Sequence, residues 1–273
     1  MMRRVHGPQP WLIVLAAVSL SGWLALLLGG IGGVAPALCL SGTLPLTPLL
    51  TSFELALLFN APAKLASGWA LMWAAMMLPL IAASLRHVRD RSLARRRTAA
   101  MLLFATGHAA VWIIAGMVLQ LVALSALWAV PAPRAWFTGA VLLALLWQVS
   151  PLKQWSLNRC HRRPQLAAFG WRADRDALCF GLGNGVACVG ACWALMLVML
   201  LAGPAEPLAM IVVALFAFAE RLDTPAALAW RWRGGAKALR LIGAAARDIG
   251  SYLPVATNAT ISRVSRSSSV LIE

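Results

Sequence analysis

Along most of this chain the apolar residues do not alternate with polar ones; they run together. Six apolar stretches stand out, at residues 11–30, 68–85, 99–128, 136–149, 177–202 and 208–219. A hydrocarbon core takes about 20 apolar helical residues to cross. Each stretch therefore predicts a spanning helix, with 136–149 and 208–219 borrowing flanking residues to reach across. The third stretch has length enough for two crossings, but no turn residue or charge interrupts it before Pro131, which predicts one long tilted helix. The pattern predicts an all-α, polytopic membrane helix bundle of about six transmembrane helices.

Composition agrees with the pattern and narrows the function classes. Of 273 residues 61% are hydrophobic and only 12% charged, which excludes an ordinary soluble enzyme and a disordered chain. The formal net charge of +15 would ordinarily raise nucleic-acid binding, but the cations are segregated rather than gathered on one face. They lie before the first stretch, between the second and third, between the fourth and fifth, and after the sixth; only Lys64 and Arg134 lie in connections of the other parity. Positive residues stay cytoplasmic, so both termini are expected inside, with residues 1–10 and 220–273 cytoplasmic. Anionic lipid headgroups are the expected partner of those cations, and nucleic acid is not.

Residues 1–28, followed by Ala35-Pro36-Ala37, have the look of a signal peptide. The apolar core is longer than the usual 7–15 or so residues, which favours an uncleaved anchor. Residues 35–67 read as an outside loop, apolar enough at 49–59 for a short interfacial or re-entrant helix, and 150–176 as a large cytoplasmic loop. Residues 225–249 mix apolar residues with Arg231, Arg233, Lys237, Arg240 and Arg247, which predicts a basic amphipathic helix on the headgroups with Trp230 and Trp232 at the interface. The Ser-rich 258–273 reads as a disordered tail.

The residues able to do chemistry are few. Gly181, Gly183, Gly185 and Gly190 in the fifth stretch allow close helix approach. Cys188 and Cys192, four apart, share a helical face that Met196 and Met199 continue. Thiolate and thioether are soft donors that suit Cu(I), although buried Cys and Met also serve as packing. Met72 and Met76 share a face of the second stretch, one turn before the kinking Pro79. His108 is an ionisable residue inside the third stretch, open to metal ligation, a proton relay or an interhelical hydrogen bond. Cys160-His161 in the loop supplies half a tetrahedral metal set. Glu220 closes the sixth stretch, where a pairing with Arg221 or a neighbouring cation is expected. No Gly-x-Ser-x-Gly, His-Glu-x-x-His or intramembrane carboxylate pair is present, so no enzymatic activity is expected.

Three segments together resemble one bacterial family: Met76-Met77-Leu78-Pro79, the Gln148-x-x-Pro151-Leu152-Lys153 run leading to Cys160 and Pro164, and the stretch from Gly181 through Cys188 to Cys192-Trp193. The family is that of predicted metal-binding integral membrane proteins, domain of unknown function 2182, and the resemblance covers residues 68–221. It implies a multi-span inner-membrane protein with a metal role. In that family a second cysteine precedes the loop cysteine by four residues, where this chain has Ser156; a histidine is common where it has Asn184; and cysteines are paired where it has Ala191-Cys192. The resemblance thus implies a loop site reduced to Cys160 with His161, and a span site reduced to Cys188 and Cys192 with help from Met72, Met76 and Met196.

The leading expectation is a protein that binds or moves a soft metal ion, copper first. The alternatives are a non-catalytic membrane scaffold or assembly factor without cofactor, with a membrane protein partner or a second copy, and a proton- or solute-translocating protein using His108.

Overall fold

The computed structural model describes residues 10–28, 62–130 and 132–232, together with residue 240. Among them the chain forms seven α-helices: α1 (Pro10–Leu28), α2 (Pro62–Arg91), α3 (Arg97–Ala129), α4 (Pro133–Val149), α5 (Pro151–Cys160), α6 (Gly170–Leu200) and α7 (Glu206–Leu222). No strand occurs among the described residues. As expected from its unbroken apolar run, α3 is one helix of 33 residues. At 1.5 Å per residue it measures about 50 Å, well beyond a hydrocarbon core of about 30 Å.

Four helices, α1, α2, α3 and α6, are long and apolar enough to cross a membrane, and α4 with α5 makes up to a fifth if that bent pair is one span. The expected count of about six differs at the two short stretches: α4 and α7 have 17 residues each. Outward faces are apolar throughout, with Val14, Val18 and Leu24 of α1, Ile114, Val118 and Leu121 of α3, and Leu208, Leu215 and Phe218 of α7 all exposed. Polar residues are turned inward, among them His108, Gln148, Lys153, Gln154, Asn184 and Glu220.

The first half of the expected 150–176 cytoplasmic loop is instead α5, packed into the bundle. Ser150 ends α4 in an extended conformation and caps α5, its Oγ accepting from the Lys153 N–H at 3.2 Å, with Pro151 in the first helical turn. The chain bends by 68° there. Lys153, Gln154, Ser156, Leu157 and Cys160 are buried against α6 and α7. Lys153 is therefore not one of the cytoplasmic headgroup-facing cations. Its ammonium sits 2.9 Å from Glu220 Oε1, and both groups also bond the Gln148 amide. Glu220 thus pairs with a cation of another helix rather than with adjacent Arg221.

The start of the expected amphipathic helix also differs. Residues 224–229 are not helical and lie along α5, where the Asn158 amide pairs both ways with Ala226 (2.7 and 3.1 Å) and the Gln154 amide pairs both ways with Ala229. Arg231 N–H donates to the Val149 carbonyl at 3.2 Å. Amides on α5 replace the hydrogen bonds that a helix would make within itself. Trp230 and Trp232 are exposed. The rest of that expected helix, the outside loop with its re-entrant segment and the Ser-rich tail lie outside the described residues.

Helix contacts explain several small residues. Pro79 has no N–H for the Ala75 carbonyl one turn back. Ser19 of α1 supplies the missing donor, its Oγ–H reaching Ala75 O at 2.7 Å, and Gly22 lets α1 come that close, since a Cβ there would stand 3.2 Å from Ala75 Cβ. Ser19→Ala is expected to cost about 1–3 kcal/mol by orphaning that carbonyl. The measurement is thermal unfolding in detergent, and an unchanged Tm would refute this role for Ser19.

Candidate metal centre

The α3–α6 contact brings the site's halves together. A Cβ on Gly181 would stand 2.2 Å from the Phe104 carbonyl oxygen, and one on Gly185 would stand 3.0 Å from Val111 Cβ, so these glycines let α6 lie directly on α3. On its far side, α6 meets α5 at Gly190, where a Cβ would stand 2.6 Å from Ser156 Oγ.

Between these contacts the soft donors converge. Met72 and Met76 of α2, Cys160 of α5, and Cys188, Cys192, Met196 and Met199 of α6 all belong to one buried cluster, with Met77 and Met210 beside them. Cys188 and Cys192 are both buried, one helical turn apart on one face of α6, as their i, i+4 spacing requires. Cys160, Cys179, Cys188 and Cys192 are free thiols.

His108 is fully buried. Its Nδ1 accepts from the Trp73 indole N–H at 3.0 Å, and an indole nitrogen only donates, so the neutral ring carries its hydrogen on Nε2. That Nε2–H is buried and has no hydrogen-bond partner. In this tautomer Nε2 is a donor, and its ligation of a metal requires the Trp73 bond to break. His161 is held elsewhere, with Nδ1 2.9 Å from the Leu157 carbonyl and Nε2 3.3 Å from the Arg221 carbonyl. Both of its nitrogens face backbone rather than the thiols.

Arg221 is the residue that sequence reasoning passed over. Its Nη2 donates to Cys188 Sγ at 3.2 Å. The last turn of α7 holds this cation where the helix dipole favours it. The only signal in the sequence was an arginine directly after an apolar stretch, which topology accounts for equally well. Among the described residues no group of three or more His, Cys, Asp or Glu is arranged to hold a metal ion. What the cluster offers is two buried thiols one helical turn apart, thioethers around them and a guanidinium to balance charge. Zinc asks for four harder-set ligands, whereas Cu(I) is satisfied by two or three soft ones.

The copper chaperone family PpoB2 matches residues 66–245, more than half of the chain. The chain belongs to that family. No curated protein matches it, and no solved structure does. The metal-related character expected from the sequence is thus copper at the level of the PpoB2 family. In this PpoB2 member Ser156, Asn184 and Ala191 all line the α5–α6 contact. Asn184 Nδ2 donates to the Cys160 carbonyl at 3.5 Å, Ser156 faces Gly190, and Ala191 shares the buried cluster with Leu157 and Cys160.

Proposed function

We propose that this chain is a multi-pass chaperone of the bacterial cytoplasmic membrane, without catalytic activity, that carries Cu(I) as cargo between Cys188 and Cys192. Met72, Met76 and Met196 supply thioether support and Cys160 a third thiol. The observation that carries the reading is the burial of two thiols, one helical turn apart, inside a methionine-walled cluster, in a chain that belongs to a copper chaperone family. Two thiolates and Cu(I) sum to one negative charge, and the Arg221 guanidinium beside Cys188 offsets it. Apolar outward faces with polar residues inside support the membrane setting, and the segregated cations support N-in, C-in placement on anionic lipid.

Detergent-purified protein, loaded with Cu(I) under reducing conditions and desalted, is expected to retain about one copper per chain. Cys188→Ser with Cys192→Ser is expected to lose it while keeping the thermal unfolding transition. Unchanged copper in the folded double variant would end this reading. A wild-type protein that binds no copper and co-purifies with a membrane complex would favour the scaffold instead.

A further inference from the structure

At the arginine-rich end of the bundle a cavity of about 350 Å³ opens between α5, the 161–169 connection and the first turns of α6. Arg159 and Arg162 line it, with Phe180, the exposed Cys179, Gly183 and Asn184. Asn184 is only 3% exposed, and its Oδ1 accepts no hydrogen bond. A buried amide oxygen left unpaired costs about 1–3 kcal/mol, and this one stands in the wall of a cavity. Gly183 is the second unexplained feature. Gly181, Gly185 and Gly190 are each accounted for by close packing, but nothing lies within 4 Å of a Cβ on Gly183. A mid-helix glycine costs about 1 kcal/mol against alanine, and here its effect is to keep the cavity open.

The lining specifies a ligand. One carboxylate, Asp176, also lines the cavity, its Oδ2 accepting from the Ala167 N–H at 3.0 Å; the two guanidinium groups outnumber it and suit a carboxylate ligand, the free Asn184 Oδ1 needs an N–H donor, and Phe180 offers an apolar wall. The volume lies near the lower end of small-molecule sites, roughly 300–1,000 Å³. We infer that this cavity binds a small carboxylate-bearing thiol peptide, which exchanges Cu(I) with the cysteine cluster behind Asn184. Asn184 joins the two, since its Nδ2 bonds the Cys160 backbone and Cys160 belongs to the same buried cluster as Cys188. The carrier's thiol follows from the cargo, because Cu(I) travels on soft donors. In the exchange a Cu–S bond to the carrier breaks as one to a cysteine of the cluster forms. The receiving thiol's proton passes to the departing carrier thiolate, and copper stays Cu(I). The exchange rests on the copper reading above; binding of the peptide does not.

The test uses the full chain in phosphatidylcholine nanodiscs, with reduced glutathione as the probe and no copper present. Titration calorimetry is expected to show saturable binding, weakened tenfold or more by Arg159→Gln with Arg162→Gln. Gly183→Leu should weaken it as much, by filling space that no other atom occupies, without lowering the Tm. S-methylglutathione, which keeps the carboxylates and amides, is expected to bind equally but to deliver no copper. Absent binding, or binding unchanged in Gly183→Leu, would overturn the inference. So would loss of glutathione binding on adding phosphatidylglycerol, which would mark the cavity as a lipid headgroup site. Glutathione binding without copper retention by the cysteines would leave the cavity standing and remove the chaperone reading. Copper retention without glutathione binding would remove only the cavity's role.

Discussion

Lys153→Met is expected to be among the most damaging single substitutions in the chain, and Lys153→Met combined with Glu220→Met to be much milder. Lys153 and Glu220 are each about 1% exposed, 2.9 Å apart, and tied together through the Gln148 amide. They join α4, α5 and α7, the three elements least able to hold position by apolar length alone. Removing one partner of such a pair strands a charge in a low-dielectric interior and costs about 3–5 kcal/mol, while replacing both with apolar side chains of similar volume is often neutral. Thermal unfolding in detergent should show a large Tm drop in each single variant and substantial recovery in the double. If the two single effects simply add in the double variant, the pair is not coupled and this account of the α5 position is wrong.

The same ion pair shows what hydropathy hides. A spanning helix with an apolar face toward lipid declares itself by composition, and α1, α2, α3 and α6 were legible for that reason, as was the continuity of α3 through 33 residues. α5 was not, because its polarity is turned inward: Lys153, Gln154 and Ser156 are buried, and a window average reads such a segment as loop. A local signal did exist, in Ser150 followed by Pro151, a capping residue and a first-turn proline. The 224–229 segment misled in the opposite sense. Its composition suits an amphipathic helix, but the amides of Gln154 and Asn158, some 70 residues earlier, hold it in a non-helical form. The candidate site divides likewise. The shared face of Cys188 and Cys192 follows from helical spacing, and so does that of Met72 and Met76. Their convergence with Cys160, and the arrival of Arg221 at Cys188, depend on how α2, α5, α6 and α7 pack, which no local pattern encodes.

Alanine at Gly181, Gly183 and Gly185 of α6 should separate them by effect, with Gly181→Ala the most severe. Its Cβ would stand 2.2 Å from the Phe104 carbonyl oxygen and 2.9 Å from the carbonyl carbon, both backbone atoms of a long, well-packed helix that cannot yield locally. Relief requires α3 and α6 to move apart, at an expected cost of about 3 kcal/mol or more. Gly185→Ala meets Val111 Cβ at 3.0 Å and the His108 backbone beyond 3.2 Å, which calls for smaller shifts and a smaller loss. Gly183→Ala meets nothing and should gain stability by about 1 kcal/mol through helix propensity alone. Function should follow the same order, because the contact that Gly181 permits holds α3, with Trp112, against the buried cluster that contains Cys188. Separating α3 from α6 opens the methionine-walled cluster to competing thiols. Copper retention in Gly181→Ala should therefore fall in any fraction that remains folded, while Gly183→Ala retains copper like the unsubstituted protein. Equal stability across Gly181→Ala, Gly183→Ala and Gly185→Ala would show that the helices are not held at the separation on which the site depends.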